Sequence, residues 1–400
     1  MLANRLEFAP ARDAEVYSAI PATPAVFLLR GDDPHSEPYI SKTANLRRRI
    51  QRLLGARVEG SRGLNLRNRV SAIEYTSTGS DFESGFLLYK LLRSAFPKTY
   101  SDRLRLRFAP VIKLHLENQF PRASVTTRIS RISGRALYYG PFPSRAMAEK
   151  FASDILDFFK MRRCIEDLHP DPAFPGCIYS EMKMCLAPCF KGCTDEQYHA
   201  EVARVQALFD TNGESTLREL SAERDQASSS LKFENAAVLH ERIEKLKPLL
   251  GQIPEIVHPI DRLSGVMVQP SAIPDSVALF RIDSTQICGP VLLPVGAAVG
   301  VAGHAKAQSM EARIQEILGR MECSKLKTAA EVMEHLAILK RWYYRSSRTG
   351  EIFFADPRNI LPMRRIVRGV SRVYRGEKPE SDHGPTSPSG APPTTSQPLS

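Results

Sequence analysis

The chain has 400 residues, with 55 Lys and Arg against 44 Asp and Glu, a net charge of +11. That length exceeds one ordinary core and asks for two or three domains, and 42% hydrophobic with 25% charged residues suits a soluble globular chain, not a membrane-embedded one. The cationic excess favours a polyanionic partner. Because arginine, whose fork matches phosphate, carries much of it, nucleic acid leads a membrane surface.

The N-terminal "MLANRLEFAPARDAEV" lacks the apolar core of a signal peptide. Residues 24–30 and 37–41 read as two short strands joined by "GDDPHS". Residues 43–54 read as a basic helix with Leu46, Ile50, Leu53 and Leu54 on one face. Arg47, Arg48, Arg49, Arg52, Arg57, Arg62, Arg67 and Arg69 crowd this stretch and the loop after it. "VSAIEYTST" is a further strand, and 81–95 a helix opened by Ser80 or Asp81 and closed before Pro97. "FAPVIKLHLE" and "ASVTTRISRI" alternate as a hairpin, followed by a loop "YYGPFPS" and a helix over 145–159.

Helical sequence runs over 196–250 with a break at "TNGES"; then "GVMVQ", "SVALFRID" and "GPVLLPVG" are strand-like, and 310–321 and 329–344 helical. No repeat recurs that would point to a solenoid. The longest apolar run, 289–303, is too short and too broken by Gly and Pro to span a bilayer. A cytoplasmic protein with no membrane association is expected, its seven cysteines reduced or metal-bound rather than disulfide-linked. The Pro/Ser/Thr-rich segment 376–400 is expected to be disordered.

Cys164, Cys177, Cys185 and Cys189 form a C-x12-C-x7-C-x3-C pattern. Four soft thiolates on one Pro-rich loop suit a tetrahedral zinc or an iron–sulfur cluster, and the alternative is a chance set of buried cysteines. Cys193 reads as a bystander, and Cys288 and Cys323 as isolated core fillers. Further on, Leu231, Ala236, Leu239, Ile243 and Leu246 recur at helical spacing, which either packs one helix on its mate or presents a partner-binding face.

With these motifs in place the chain resembles the bacterial excinuclease subunit UvrC family over roughly residues 15–250. "CLAPC" stands where that family has "C-x-G-P-C", and "YYGPFPS" is similar to its "Y-F-G-P-F". The resemblance implies an iron–sulfur cluster at the four cysteines, with zinc as the alternative. Leu231, Phe233-Glu234, Ala236-Ala237, Leu239 and Ile243 resemble the UVR motif, with His240 where arginine is usual. That implies a UvrB-like helicase subunit as partner, met by Phe233, Glu234 and Ala237.

The first hundred residues resemble the family's GIY-YIG nuclease domain. "PAVF" stands for "P-G-V-Y", "YIS" for "Y-I-G", and "KTANLRRRI" for the lysine-to-arginine helix. Cutting a phosphodiester this way needs an activated water, an arginine for the phosphorane charge, and a carboxylate-held metal for the leaving alkoxide. Tyr39, Lys42 and Arg49 match the family's second tyrosine, lysine and catalytic arginine, while Phe27 replaces the first tyrosine. "ESGFLLYKLLRSAFP" keeps Glu83 but places Leu88 at the metal-binding position, and Tyr100 replaces an asparagine. Glu83, five residues from Leu88, sits about 140° around a helix and cannot substitute. A divalent metal is therefore doubtful here, and Tyr39, Lys42 and Arg49 read as a remnant site. Arg47, Arg48, Arg49 and Arg52 remain as a binding face for double-stranded DNA; as bare sequence they are equally solvated surface charges.

Full-length relatives add an RNase H-like nuclease domain, of which "FRIDSTQICG" with Asp283 is a faint echo, and "LKRWYYRSSR" offers Trp342 for stacking on bases or for plain packing. The expected fold is α+β: a GIY-YIG-like domain over 15–100, a middle region with the cysteine cluster over 101–195, a UVR helical hairpin over 196–250, a small C-terminal α/β domain over 260–375, and the tail. The expected function is repair-linked binding of DNA and a UvrB-type partner with cleavage lost. A working single-incision endonuclease and an adaptor without a DNA role are the alternatives.

Overall fold

The structure, a computed structural model, describes residues 2–33, 35–56, 63–130, 136–296, 308–323 and 328–378. Arg57, Arg62 and the tail beyond 378 lie outside the described residues. The chain is a mixed α/β protein built on three small antiparallel sheets and a run of helices. Among the described residues, no helix is long and apolar enough to cross a membrane.

The first sheet has the order β1-β4-β2-β3. After β1 (Asn4–Glu7) and the short helix α1 (Asp13–Ala19) come β2 (Ala25–Arg30), β3 (Tyr39–Thr43), α2 (Leu46–Leu54) and β4 (Ala72–Ser77). β2 is central and buried on both faces, so it reads as a continuous apolar run where an edge strand would alternate. Ala25, Phe27 and Leu29 face a core closed by α1 and the Leu46, Ile50, Leu53 and Leu54 stripe of α2. α3 (Asp81–Ala95) covers the opposite face, and α4 (Tyr100–Leu104) follows it.

The second sheet begins with β5 (Val111–His115), β6 (Ala123–Thr126) and β7 (Ala136–Gly140). "YYG" is strand and not the expected loop. Tyr139 is buried, stacks 4.7 Å from Phe209 and donates to Asp210, so packing overrides the turn signal of the following Gly-Pro. α5 (Arg145–Leu156) leads to the cysteine loop with α6 (Ile178–Glu181), then to α7 (Asp195–Asp210), α8 (Glu214–Ser229) and α9 (Phe233–Gly251). β8 (His258–Pro259) returns the chain to pair with β7.

The third sheet, in the order β11-β10-β9-β12, is formed by β9 (Gly265–Pro270), β10 (Ser276–Asp283), β11 (Gln286–Pro294) and, after α10 (Met310–Arg320) and α11 (Ala329–Tyr343), β12 (Glu351–Phe354). α12 (Met363–Arg375) closes it. Val266, Val268 and Leu279 pack against α10 and α12 on one face. On the other, Met267, Phe280 and Ile282 share one core with α11 and with Phe82, Phe86 and Tyr89 of α3.

For this third unit one expectation is corrected and one open alternative is decided. Cys288 and Cys323 are bonded as a disulfide, because β11 and the chain after α10 bring their Cα atoms to 5.8 Å, within bridging range. Trp342 is no stacking platform: it is buried edge-on against Phe82 with its indole N–H donated to Thr349 O.

Candidate functional site

Strand alternation sorts the sequence-predicted trio to two sides of the first sheet. Tyr39 lies beside Phe27, ring centroids 6.0 Å apart, on the α2 side, and its hydroxyl accepts a 2.8 Å hydrogen bond from Arg49. Lys42 points toward α3 and meets Asp81 at 2.5 Å. Phe27 is fully buried in the α1–α2 core, so a hydroxyl there would need its own partner.

The arginines of α2 have distinct duties. Asn45 caps the helix by accepting from the Arg48 N–H, which orients the run. Arg47 turns back to donate to Ile20 O and Ser18 O, tying α2 to α1. Arg48 and Arg52 stand exposed. Arg67, in the loop, is spent on Asp13 and on the carbonyls of Leu54 and Pro10. The face available to phosphates is therefore Arg48, Arg52 and the Arg49–Tyr39 pair, narrower than the sequence suggested.

On the α3 side, the helix begins with a reciprocal cap: Ser80 Oγ accepts from Glu83 N, and the Glu83 carboxylate accepts from Gly79 N at 2.8 Å. Burial pushes the Glu83 carboxyl up, and the Gly79 N–H partly offsets it. Glu83 is thus a structural cap. Leu88 lines a cavity of about 620 Å³ between α3 and α11, with Lys42, Asp81, Arg341 and Arg345 also on its wall. Burial works against the Asp81 carboxylate, yet Lys42 and Arg345 at 2.5 Å each hold its pKa below the ordinary value. These residues do not fit a divalent ion: Leu88 offers no donor atom, and Asp81 is already neutralised by two cations.

The far end of α3 is locked to α11. Glu334, buried, accepts from Tyr89 at 2.7 Å and from Tyr100 at 2.5 Å, while Arg93 bridges Tyr89 and Glu331. His335 beside them accepts from Ile287 N at 2.9 Å, so the imidazole is neutral with its proton on Nε2. Burial, then Arg93 and Lys90, hold its pKa down at about 4. Tyr100 is part of this lock.

In the cysteine loop, Cys185 Sγ accepts from Ala187 N at 3.3 Å, and burial followed by the neighbouring Cys164, Cys189 and Cys177 pushes its thiol up to about 11. The four sulfurs therefore lie close enough to feel one another. Among the described residues, no three His, Cys, Asp or Glu side chains are arranged to hold a metal, so ligation requires the loop to tighten. Arg162 is missed by any motif. Only 2% exposed, it donates to the carbonyls of Phe120, Cys164 and Glu166 and to Cys164 Sγ at 3.4 Å, and makes no ion pair among the described residues. A buried guanidinium needs a countercharge. The neighbouring cysteines would supply it only as thiolates held by a soft metal group, and their donor chemistry fits such a group.

The α8–α9 hairpin anchors its base with buried Leu220, Ile243 and Leu246. Its tip leaves Leu231, Phe233 and Val238 in solvent, Phe233 at 64% exposure, with Glu234 and Ala237 also exposed. The apolar stripe is thus divided between packing and an open face. α12 is a basic helix the sequence reading did not pick out. Its signal was there, with Ile366, Val370 and Val373 buried beneath exposed Arg364 and Arg368. Asp283, at the end of β10, pairs with Arg281 at 3.4 Å.

Residues 109–208 match the family model described as UvrC/Cho excinuclease, middle domain, and residues 214–247 match the UvrB/uvrC motif. Among curated relatives, the UvrABC system protein C of Idiomarina loihiensis is 26% identical over 214 residues, covering 52% of this chain and 34% of the relative. That of Hydrogenovibrio crunogenus is 25% identical over 261 residues, covering 64% and 39%, and that of Rickettsia bellii 26% over 259 residues, covering 63% and 39%. The matches thus span about a third to two-fifths of these relatives' lengths. No solved structure matches.

Proposed function

This is a UvrC-like chain, and on that premise we propose that it works in nucleotide excision repair in the cytoplasm, binding double-stranded DNA and a UvrB-type partner, with its own phosphodiester cleavage lost. The DNA reading is supported by Arg48, Arg52 and the Arg49–Tyr39 pair on one open face of the first sheet. The partner reading is supported by the match over 214–247 and by the apolar hairpin tip around Phe233. Cys164, Cys177, Cys185 and Cys189 would hold an iron–sulfur cluster, with zinc as the alternative. When bound, the group clamps the loop that Arg162 already anchors.

Leu88 carries the reading that cleavage is lost. It stands at the metal position in an apolar stretch of cavity wall, and Lys42 is withdrawn onto Asp81. The wild-type protein should therefore leave duplex DNA intact with Mg²⁺ or Mn²⁺, with and without its partner. Phe27→Tyr with Leu88→Glu should restore weak nicking only as a pair. Asp81 favours the runner-up, a single-incision endonuclease, because it is the only carboxylate on that cavity's wall among the described residues. Wild-type nicking abolished by both Arg49→Ala and Asp81→Asn would establish that enzyme instead.

A further inference from the structure

The cavity between α3 and α11 belongs to neither matched segment, and about a third of its wall comes from the third unit. We propose that it is a nucleotide site, taking one nucleobase with its 5′-phosphate. Its volume, about 620 Å³, lies within the range of small-ligand pockets. The wall divides by chemistry. Leu88, Leu104, Leu106 and Ile338 give it apolar wall, and Lys42, Arg341 and Arg345 give it cationic wall.

The phosphate position is set by three features that converge on one point. α3 is a 15-residue helix whose first turn lines the cavity, so the positive end of its dipole lies at this wall. Lys42 from β3 and Arg345 from beyond α11 flank that turn, and Asp81 now lies between them. Asp81 thus occupies the place of an anion. Arg341, exposed on the same wall, makes no ion pair among the described residues. Arg103 is paired with Glu37, but Lys42, Arg341 and Arg345 against the single carboxylate of Asp81 leave this wall electropositive, and a phosphate dianion satisfies it better than Asp81 alone.

Loss of the family's metal carboxylate and gain of this site are one change. A glutamate at position 88 would put a charge in the apolar wall and repel the ligand; leucine completes that wall. The docking of the units is also built in, since a side chain at Gly79 would collide with the backbone of Pro270 and Ser271.

The site's strand-bound form rests on the DNA-binding reading above; its free-nucleotide form does not. The test is calorimetric titration of the full chain with 2′-deoxynucleoside 5′-monophosphates, with inorganic phosphate, and with duplexes that carry or lack one 5′-phosphorylated unpaired nucleotide. Saturable monophosphate binding is expected, at least tenfold tighter than phosphate alone. Arg341→Glu and Leu88→Glu should each weaken it about tenfold, and Asp81→Asn should tighten it. Tighter binding of the unpaired-nucleotide duplex, sensitive to the same variants, assigns the site to a strand, and indifference to the unpaired nucleotide assigns it to free nucleotide. Arg341 is a surface residue, so its variant tests the site even where Leu88→Glu unfolds the chain. Absence of monophosphate binding, or binding indifferent to Arg341→Glu and Asp81→Asn, overturns the proposal. Duplex binding that vanishes in an Arg48→Ala, Arg52→Ala variant while the monophosphate titration is unchanged separates the two readings.

Discussion

On one face of the first sheet, α2 keeps its leucines on the core and turns Arg48 and Arg52 toward water, so its outer side stays open to a polyanion. On the other face, α3 is enclosed twice, by the sheet and by α11 of the third unit. A helix facing solvent can keep charged residues cheaply. A helix between two units carries charge only where a partner is built for it, as Glu334 is for Tyr89 and Tyr100. A carboxylate at position 88 has no such partner without its metal, and a leucine removes the problem.

The sharpest break of this contrast is at Glu334. Glu334→Ala removes the acceptor of two phenols at the α3–α11 interface, at a cost of about 3 kcal/mol for the stranded hydroxyls. Chemical denaturation should read that loss, together with partial separation of the first and third units. A cost below about 1 kcal/mol would show that the interface stands on apolar contact alone.

A milder perturbation is pH. His335 is held neutral in the fold to about pH 4, whereas in the unfolded chain it takes its proton near its ordinary value of 6.5. Between those values the unfolded state binds more protons, so stability falls as pH drops from about 6.5 to 4 and is flat with respect to this group above and below that window. The loss is on the order of 3 kcal/mol. His335→Gln should flatten the slope across it.

The hairpin offers an outside check of comparable size. Phe233→Ala should weaken affinity for a UvrB-type partner by about 2 kcal/mol with helical circular dichroism unchanged, because the ring is in solvent in the free chain. Loss of helix content would mark it as core.

The α2 side was legible from sequence because its pattern is local. Leu46, Ile50, Leu53 and Leu54 declare a helix face, and Asn45 supplies the cap. The α3 helix itself was equally legible, through Ser80 and Phe82. Its enclosure was not, since Tyr89, Arg93 and Tyr100 find their partners more than 230 residues away at Glu331 and Glu334. Cys288 and Cys323 failed for the same reason: thirty-five residues separate them, and only the third sheet sets them side by side. Arg162 carries no periodic or motif signal at all. Its role follows from burial, which a sequence does not print.

The smallest effects separate neighbours on α2 and so test the contrast most finely. Arg47 and Arg48 are adjacent and chemically identical, yet Arg47 donates to Ile20 O and Ser18 O while Arg48 points to solvent. Arg47→Ala should cost about 1 kcal/mol of stability, the worth of a charge-assisted tie to backbone, and leave the salt dependence of duplex binding alone. Arg48→Ala should do the reverse: unchanged melting, and a slope of log affinity against log salt shallower by about 0.9, one phosphate contact. Denaturation and salt titrations on the two single variants decide it. Equal slopes in both variants would mean that α2 does not face the DNA.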